Sequence, residues 1–464
     1  MTSVVICRDR AFADQLSPLL PGVTVTTAPD PAVKWDVAVH WTPGFAPVNA
    51  LRHLNPPAAL ERLASLPTAR KVLRLNGLRT LPGFGQASTP SLGGGFCRVH
   101  LFDGAAISVR APGGRYHRQN LVSMALRALY CLGLDFGAVD LRPRRLTATV
   151  LRIDPAPAVD APLAEAYARA MLPRLAGETG DGGPVKIGAD PEFIVFRRRD
   201  GRRVPASRFF RRHAGIGCDW APGFRGFPLG ELRPSPSECP LRLTETLAVQ
   251  IERARRHVGG DFGLVAGSRP YPSLYIGGHV HFSGVVLTAD LLRALDTYVA
   301  LPVLLLEAAS PASSRRRRYG FLGDCRRKRH GGFEYRTLPS WLVSPEVTAA
   351  VLCLAYLVVL EHRRLRGRLL VDPERQEAFY QADKETLRPL WPRLWADLRA
   401  TPSYSRFRSP LRILPDLIER RVTWDERLEL GAAWSQYKPD QVKAEPAITA
   451  LAMALRLFTR RATK

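Results

Sequence analysis

Four short segments between residues 187 and 337 each set two chemically active side chains two positions apart. They are Ile187-Gly-Ala-Asp-Pro-Glu-Phe-Ile-Val-Phe196 with Asp190 and Glu192, and Gly230-Glu-Leu-Arg-Pro234 with Glu231 and Arg233. The others are Leu274-Tyr-Ile-Gly-Gly-His-Val-His-Phe282 with His279 and His281, and Phe333-Glu-Tyr-Arg-Thr337 with Glu334 and Arg336. In an extended strand, side chains two apart leave the same face. Each segment therefore reads as a strand with one chemical face and one packing face, the latter carrying Ile276, Val280 and Phe282, or Phe333 and Tyr335. If the strands share a sheet, one face gathers three Glu, an Asp, two His and two Arg. Carboxylates and imidazoles at that density suit Mg²⁺ or Mn²⁺ with phosphate oxygens. Guanidinium groups suit bidentate contact with a phosphate or a carboxylate. One such pair is common on any solvated strand, whereas four in succession point to a shared site.

The remainder of the chain sets limits. A length of 464 residues predicts two or three domains, and 46% hydrophobic with 23% charged residues is globular composition. Gly177-Glu-Thr-Gly-Asp-Gly-Gly-Pro184 has linker composition. It divides a first region, 1–176, from a catalytic region, 185–370, and a helical C-terminal region, 371–464, expected to pack on the catalytic one. Before the linker, strands are predicted at Val4–Cys7, Val37–His40, Cys97–Phe102, Ala106–Arg110 and Val150–Ile153, with a helix over Gln119–Leu132. After Pro345 helical patterns dominate, and Trp391, Trp395, Trp424 and Trp434 are expected to pack the tail. The longest largely apolar run, Val347–Leu360, has 14 residues, too few for a membrane span, and reads as a buried helix. Seven scattered Cys without a CxxC pair read as reduced thiols. The N-terminus reads as a first strand and not as a signal peptide, so a soluble cytoplasmic protein is expected, with no membrane partner.

The net charge of +25 admits a polyanionic partner, but only eight of the 67 basic residues are Lys and the Arg are spread along the whole chain. Coding bias is the plainer account, and nucleic acid is an open but unfavoured partner. The densest run, Arg315-Arg-Arg-Arg318, reads as a solvated basic loop, as a loop facing phosphates, or as a nucleic-acid contact.

The blocks Gly-Ala-Asp-Pro-Glu-Phe193, Gly-Glu-Leu-Arg-Pro234 and Gly-Gly-His-Val-His-Phe282 occur in a fixed order. Arg-Arg-Tyr319-Gly-x-x-Gly-Asp324-x-Arg326 and Glu334-Tyr-Arg-x-x-x-Ser-Trp-Leu342 follow them. Together they resemble the phage-type COOH–NH2 ligase family of the glutamine synthetase and glutamate–cysteine ligase superfamily. The resemblance spans about Val185 to Leu360. It implies an α+β fold with a glutamine-synthetase-like antiparallel catalytic sheet and flanking helices. It also implies an ATP-dependent, ADP-forming ligase that joins an unidentified carboxylate to an unidentified amine through an acyl phosphate, with peptide, protein and small-metabolite substrates all open. By that resemblance Asp190, Glu192, Glu231, His279 and Glu334 hold Mg²⁺ or Mn²⁺. His281, Arg233, Arg318, Arg326 and Arg336 face ATP, with Glu334, Arg336 and Arg326 the catalytic set. Asp219 stands where the family often has Gly-Thr-Asp-Gly, here Gly217-Cys-Asp-Trp220, and its role is left open.

Residues 96–160 resemble a second family, the ATP-grasp ligases of the endospore coat-associated group. The relevant blocks are Cys97-Arg-Val-His-Leu-Phe-Asp103, Leu132-Gly-Leu-Asp-Phe-Gly-Ala-Val-Asp-Leu141 and Leu151-Arg-Ile-Asp-Pro-Ala-Pro157. Where that family has a metal-holding Glu and Asn, this chain has Arg152 and Asp154, and a guanidinium cannot ligate a metal. The first region is thus expected to be a truncated, inactive α/β relic. Against the ligase reading stands a non-catalytic scaffold that grips an anionic partner. Loss of a metal-facing acid from the catalytic region would favour the scaffold, and none is lost.

Overall fold

The computed structural model describes residues 2–43, 48–81, 84–85, 95–111, 117–144, 147–177, 183–329, 331–435 and 437. Most of the expected linker and the end of the expected helical region, 438–464, lie outside them. The chain forms two compact units, one of Met1–Gly180 with Leu287–Asp290, the other of Asp181–Val286 with Leu291–Lys464. Both mix strands and helices, so the protein is α+β.

The first unit holds two sheets. Strands Ser3–Cys7, Thr24–Thr26, Lys34–Trp41 and Asn49–Leu54 form a parallel four-stranded sheet. Five strands, among them Cys97–Phe102, Ala105–Arg110, Phe136–Pro143 and Ala148–Asp154, form the second. The helix Arg118–Leu132 turns its apolar residues Leu121, Ala125, Ala128 and Leu132 into the core and ends at Gly133, whose positive φ the left-handed cap requires.

The second unit is built on an eight-stranded sheet whose pairings are all antiparallel. Its main path runs Ile216–Asp219, Leu229–Leu232, Lys186–Arg197, Gly278–Ser283, Phe333–Tyr335, Cys325–Arg327. The four segments with paired polar residues thus lie side by side. Alternation decides their faces: Val280, Phe282, Phe333 and Tyr335 are buried on the side away from the His and Glu residues. The helices Pro240–Val258 and Pro345–Glu361 pack on one another beside this sheet. The latter is buried almost all round, as a helix apolar on every side must be. No helix among the described residues is long and apolar enough to cross a membrane.

The C-terminal helices attach through specific bonds. Trp434 Nε1 donates to the carbonyl of Leu342 at 2.8 Å, and Glu426 accepts from the amides of Ser268 and Arg269 at 2.7 and 2.8 Å. Trp391 and Trp424 are buried, and Trp395 stacks on Trp391.

The run Arg315–Arg318 departs from the sequence readings at its first two positions. It closes a helix, Ala309–Arg316, and its first two members are core residues. Arg315 donates from Nε to the carbonyl of Ile276 at 2.7 Å, and from Nη1 and Nη2 to those of Thr337 and Leu338 at 2.8 and 2.6 Å. Arg316 pairs with the buried Glu307, which also accepts from Ser268 Oγ, and lies over the Phe379 ring. Only Arg317 and Arg318 face solvent. One helical turn sends successive residues about 100° apart, so a charge run on a helix cannot be uniformly solvated when one side packs.

Candidate active site

Residues directly opposite in an antiparallel ladder share a face. The register sets Glu192 against Glu231, Asp190 against His279, His281 against Glu334, and Glu334 against Arg326. With Asp190 and Glu192 two apart, all of these point to one side of the sheet. Glu192, Glu231, His279 and Glu334 are buried, and Asp190 and His281 are half-buried.

Asp190 sits between the two imidazoles: Oδ1 lies 3.0 Å from His279 Nδ1, and Oδ2 lies 3.0 Å from His281 Nε2. His279 Nδ1 is also 3.5 Å from Glu334 Oε1. Its Nε2 meets the Tyr319 hydroxyl. Ligand atoms of Asp190, His281 and Glu334 all lie within 4.8 Å of one another. The His281 Nε2 contact with Asp190 is not an aligned hydrogen bond, although the atom is buried. Two ligand atoms about 3 Å apart are spaced as adjacent ligands of an octahedral ion with bonds of about 2.1 Å would be.

Cations ring Glu334. Arg336 pairs with it directly, Lys328 Nζ is 2.5 Å away, and Arg326 is 3.6 Å away with 60% of its side chain exposed. Arg336 Nη2 further donates to the Tyr319 hydroxyl oxygen at 3.1 Å, and the guanidinium lies over the Tyr319 ring. Burial opposes the ionisation of Asp190 and Glu334, but the neighbouring charges outweigh it. His279 and His281 hold Asp190 well below the usual carboxylate range, and His279 with Arg336 lowers Glu334. Burial raises Glu192, and burial with the adjacent Asp190 pushes Glu231 up to about 9 despite its contact with Arg233. A cation at this face would relieve both of those acids.

The Gly277-Gly278 pair explains how Glu192 is held. The Glu192 amide donates to the Gly277 carbonyl at 2.8 Å, and the Gly277 amide donates back to Glu192 Oε2 at 2.6 Å. A Cβ on Gly278 would come within 2.4 Å of the Pro339 carbonyl, so this approach demands glycine. Arg315 closes the arrangement from beneath, tying the backbone just before Gly277 to the backbone just after Arg336.

The structure brings together Asp190, Glu192, Glu231, His279, His281, Glu334, Arg326 and Arg336 on or beside one face. Arg233 stands beside Glu231, and its Nη1 donates to the Ala214 carbonyl at 3.0 Å. Arg318 lies on the exposed turn after its helix, apart from these contacts. Asp219, on the edge strand, adds its charge to those that raise Glu231. Two central residues carry no role in the sequence reading, although Tyr319 stands in one of the family blocks. Lys328 follows Arg326 at i,i+2, the same spacing that marked the other strands. Tyr319 sits in a loop, where no periodicity marks it.

Residues 187–436 match the family model described as Phage phiEco32-like COOH.NH2 ligase-type 2. The chain belongs to this family of carboxylate–amine ligases. No curated protein matches it. Among solved structures, it is similar to a bifunctional glutathione synthetase from Pasteurella multocida, at 12% identity and a TM-score of 0.34. That match covers 56% of this chain and 52% of the synthetase, so the chain spans about half of that protein. It is also similar to the macrocyclase MdnB from Microcystis aeruginosa MRC, at 13% identity and a TM-score of 0.27, covering 37% of this chain and 99% of that one.

Proposed function

We propose that the second unit is an ATP-dependent, ADP-forming carboxylate–amine ligase working at a divalent-metal site on a glutamine-synthetase-like sheet. The observation that carries this reading is the convergence of Asp190, His281 and Glu334 beside Arg336 and Lys328. Hard carboxylate oxygens with one imidazole suit Mg²⁺ or Mn²⁺, and Asp190, His281 and Glu334 would hold the ion, with Glu192, Glu231 and His279 supporting it. A bound divalent ion supplies charge neutralisation for the phosphates of ATP. Arg336, Lys328 and Arg326 stabilise the phosphoryl group as its γ-phosphorus–oxygen bond to ADP breaks and a bond to the substrate carboxylate forms. An amine then attacks the acyl phosphate, expelling phosphate, and the amide results. Positioning and electrostatics account for such phosphoryl transfer without a covalent protein intermediate.

The first unit fits a role without ATP chemistry. Arg98 is bidentate to the buried Asp140, both bonds 2.7 Å, and Arg152 lies opposite Asp140 in the ladder and pairs with Asp154 at 3.3 Å. Asp154, at one of the two positions where the resemblance puts a metal-holding residue, is thus partnered by the Arg152 that occupies the other. The test of the ligase reading is an ATP-dependent hydroxamate screen, in which hydroxylamine intercepts any acyl phosphate. ADP and phosphate should accumulate with the hydroxamate; AMP and pyrophosphate would overturn the mechanism.

A further inference from the structure

Between the end of the Asp190 strand and the Glu231 strand the chain makes an excursion, residues 197–227, that the site described above does not use. It carries nine Arg against two acids, Asp200 and Asp219. The excursion is continuous with the site. Its strand Ile216–Asp219 is bonded to Leu229–Leu232 with Gly217 opposite Glu231, and Arg233 donates to the Ala214 carbonyl.

The cations are buttressed. Arg203 lies over Phe224 at 4.6 Å, Arg212 over Phe227 at 4.9 Å, and Arg208 over Phe262 at 5.5 Å. Stacking of this kind holds a guanidinium plane in place while its N–H groups stay available to an anion. Arg202, Arg203 and Tyr271 line an open depression together with Gly201, Pro205 and Pro272. Arg202, Arg211 and Arg225 are exposed, and Trp220 is 55% exposed one residue past Asp219. From Glu192 to Arg197 is five residues, roughly 17 Å of strand, so the surface reaches from the site edge to well beyond one small substrate.

We propose that this excursion docks an acidic polypeptide and delivers one of its carboxylates to the site. The inference rests on the ligase reading for the fate of that carboxylate, but the docking itself does not. Two features favour a chain of carboxylates over a nucleic acid. In the ligase reading the reaction consumes a carboxylate, so a docked polyacid can itself be the substrate. The rings of Phe224, Phe227 and Phe262 already carry guanidinium groups, whereas single-strand binders present such rings to the bases.

The test uses the full chain and a fluorescein-labelled deca-glutamate peptide, followed by fluorescence anisotropy. Binding is expected, and Arg202→Glu/Arg211→Glu/Arg225→Glu should weaken it about tenfold or more at low salt, while the corresponding triple Lys variant keeps most of it. Hydroxamate formation from the same peptide should show KM raised about tenfold in the Glu variant with kcat within about twofold, as loss of uniform binding requires. Tighter binding of a ten-nucleotide single-stranded DNA than of the peptide would overturn the assignment in favour of nucleic acid. Anisotropy unchanged in the Glu variant, or kcat falling with KM unmoved, would also overturn it. Peptide binding that depends on these Arg, without hydroxamate from any carboxylate, would uphold the docking surface and bring down the ligase reading instead.

Discussion

Replacing Arg315 by Met tests whether a fully buried cation holds the site together. Its three donors satisfy the carbonyls of Ile276, Thr337 and Leu338, and the side chain is 0% exposed. Met fills much of the volume but leaves three buried acceptors unmade, each costing about 1–3 kcal/mol. Relief of the buried charge returns part of that, so a net loss of about 3–6 kcal/mol is expected. Lys should recover only part, because one ammonium cannot present three donors in a planar fork. Arg316→Met strands the buried Glu307 and should cost about 3–5 kcal/mol. Arg317→Met and Arg318→Met, both exposed, should stay within about 0.5 kcal/mol. The assay is urea unfolding followed by tryptophan fluorescence, with limited proteolysis to assign the transition to the second unit. Equal, small effects at all four positions would refute the reasoning, since a solvated run makes no such distinction.

Glu334→Gln should lower ATP-dependent hydroxamate formation roughly 100-fold or more, since the neutral amide neither ligates a metal well nor balances Arg336 and Lys328. Near-isosteric replacement should leave the far-ultraviolet spectrum unchanged, and full activity in that folded variant would sink the site assignment. Mn²⁺ at 100 times its Kd should stabilise the second unit by about 2.7 kcal/mol, seen as a rise in melting temperature. Asp190→Ala or chelation should abolish that rise, and a rise surviving Asp190→Ala would place the metal elsewhere. In the first unit, burial and then the adjacent His53 lower His40 to about 4 from an unfolded value of 6.5. The unfolded chain therefore takes up a proton first. His40 contributes stability that is full above about pH 6.5 and falls as pH drops toward 4, by up to about 3 kcal/mol, and His100, lowered to about 4 by burial and then by Arg98, acts in the same direction. Urea midpoints of the first unit measured at pH 7 and pH 5 should differ in that direction, and His40→Asn should reduce the difference without abolishing it.

What the sequence determined by itself was the content of each face. A period of two is a property of extended backbone, so Asp190 with Glu192, and His279 with His281, could be assigned to one side before any neighbour was known. The buried helix over Val347–Leu360 was legible for the same kind of reason, because a run apolar on every side has no face to leave in water. Register was not legible. Only pairing across the sheet sets His281 opposite Glu334 and gathers it with Asp190, a grouping that the expected division of the two histidines between metal and phosphates had separated. The same holds for Arg315. Its partners lie 39 residues before it and 22 and 23 after it, so whether its long side chain ends in solvent or in the core depends on carbonyls brought near by the fold. Charge composition describes what a side chain carries, and tertiary contact decides whether that charge meets water, a substrate or the backbone beneath the site.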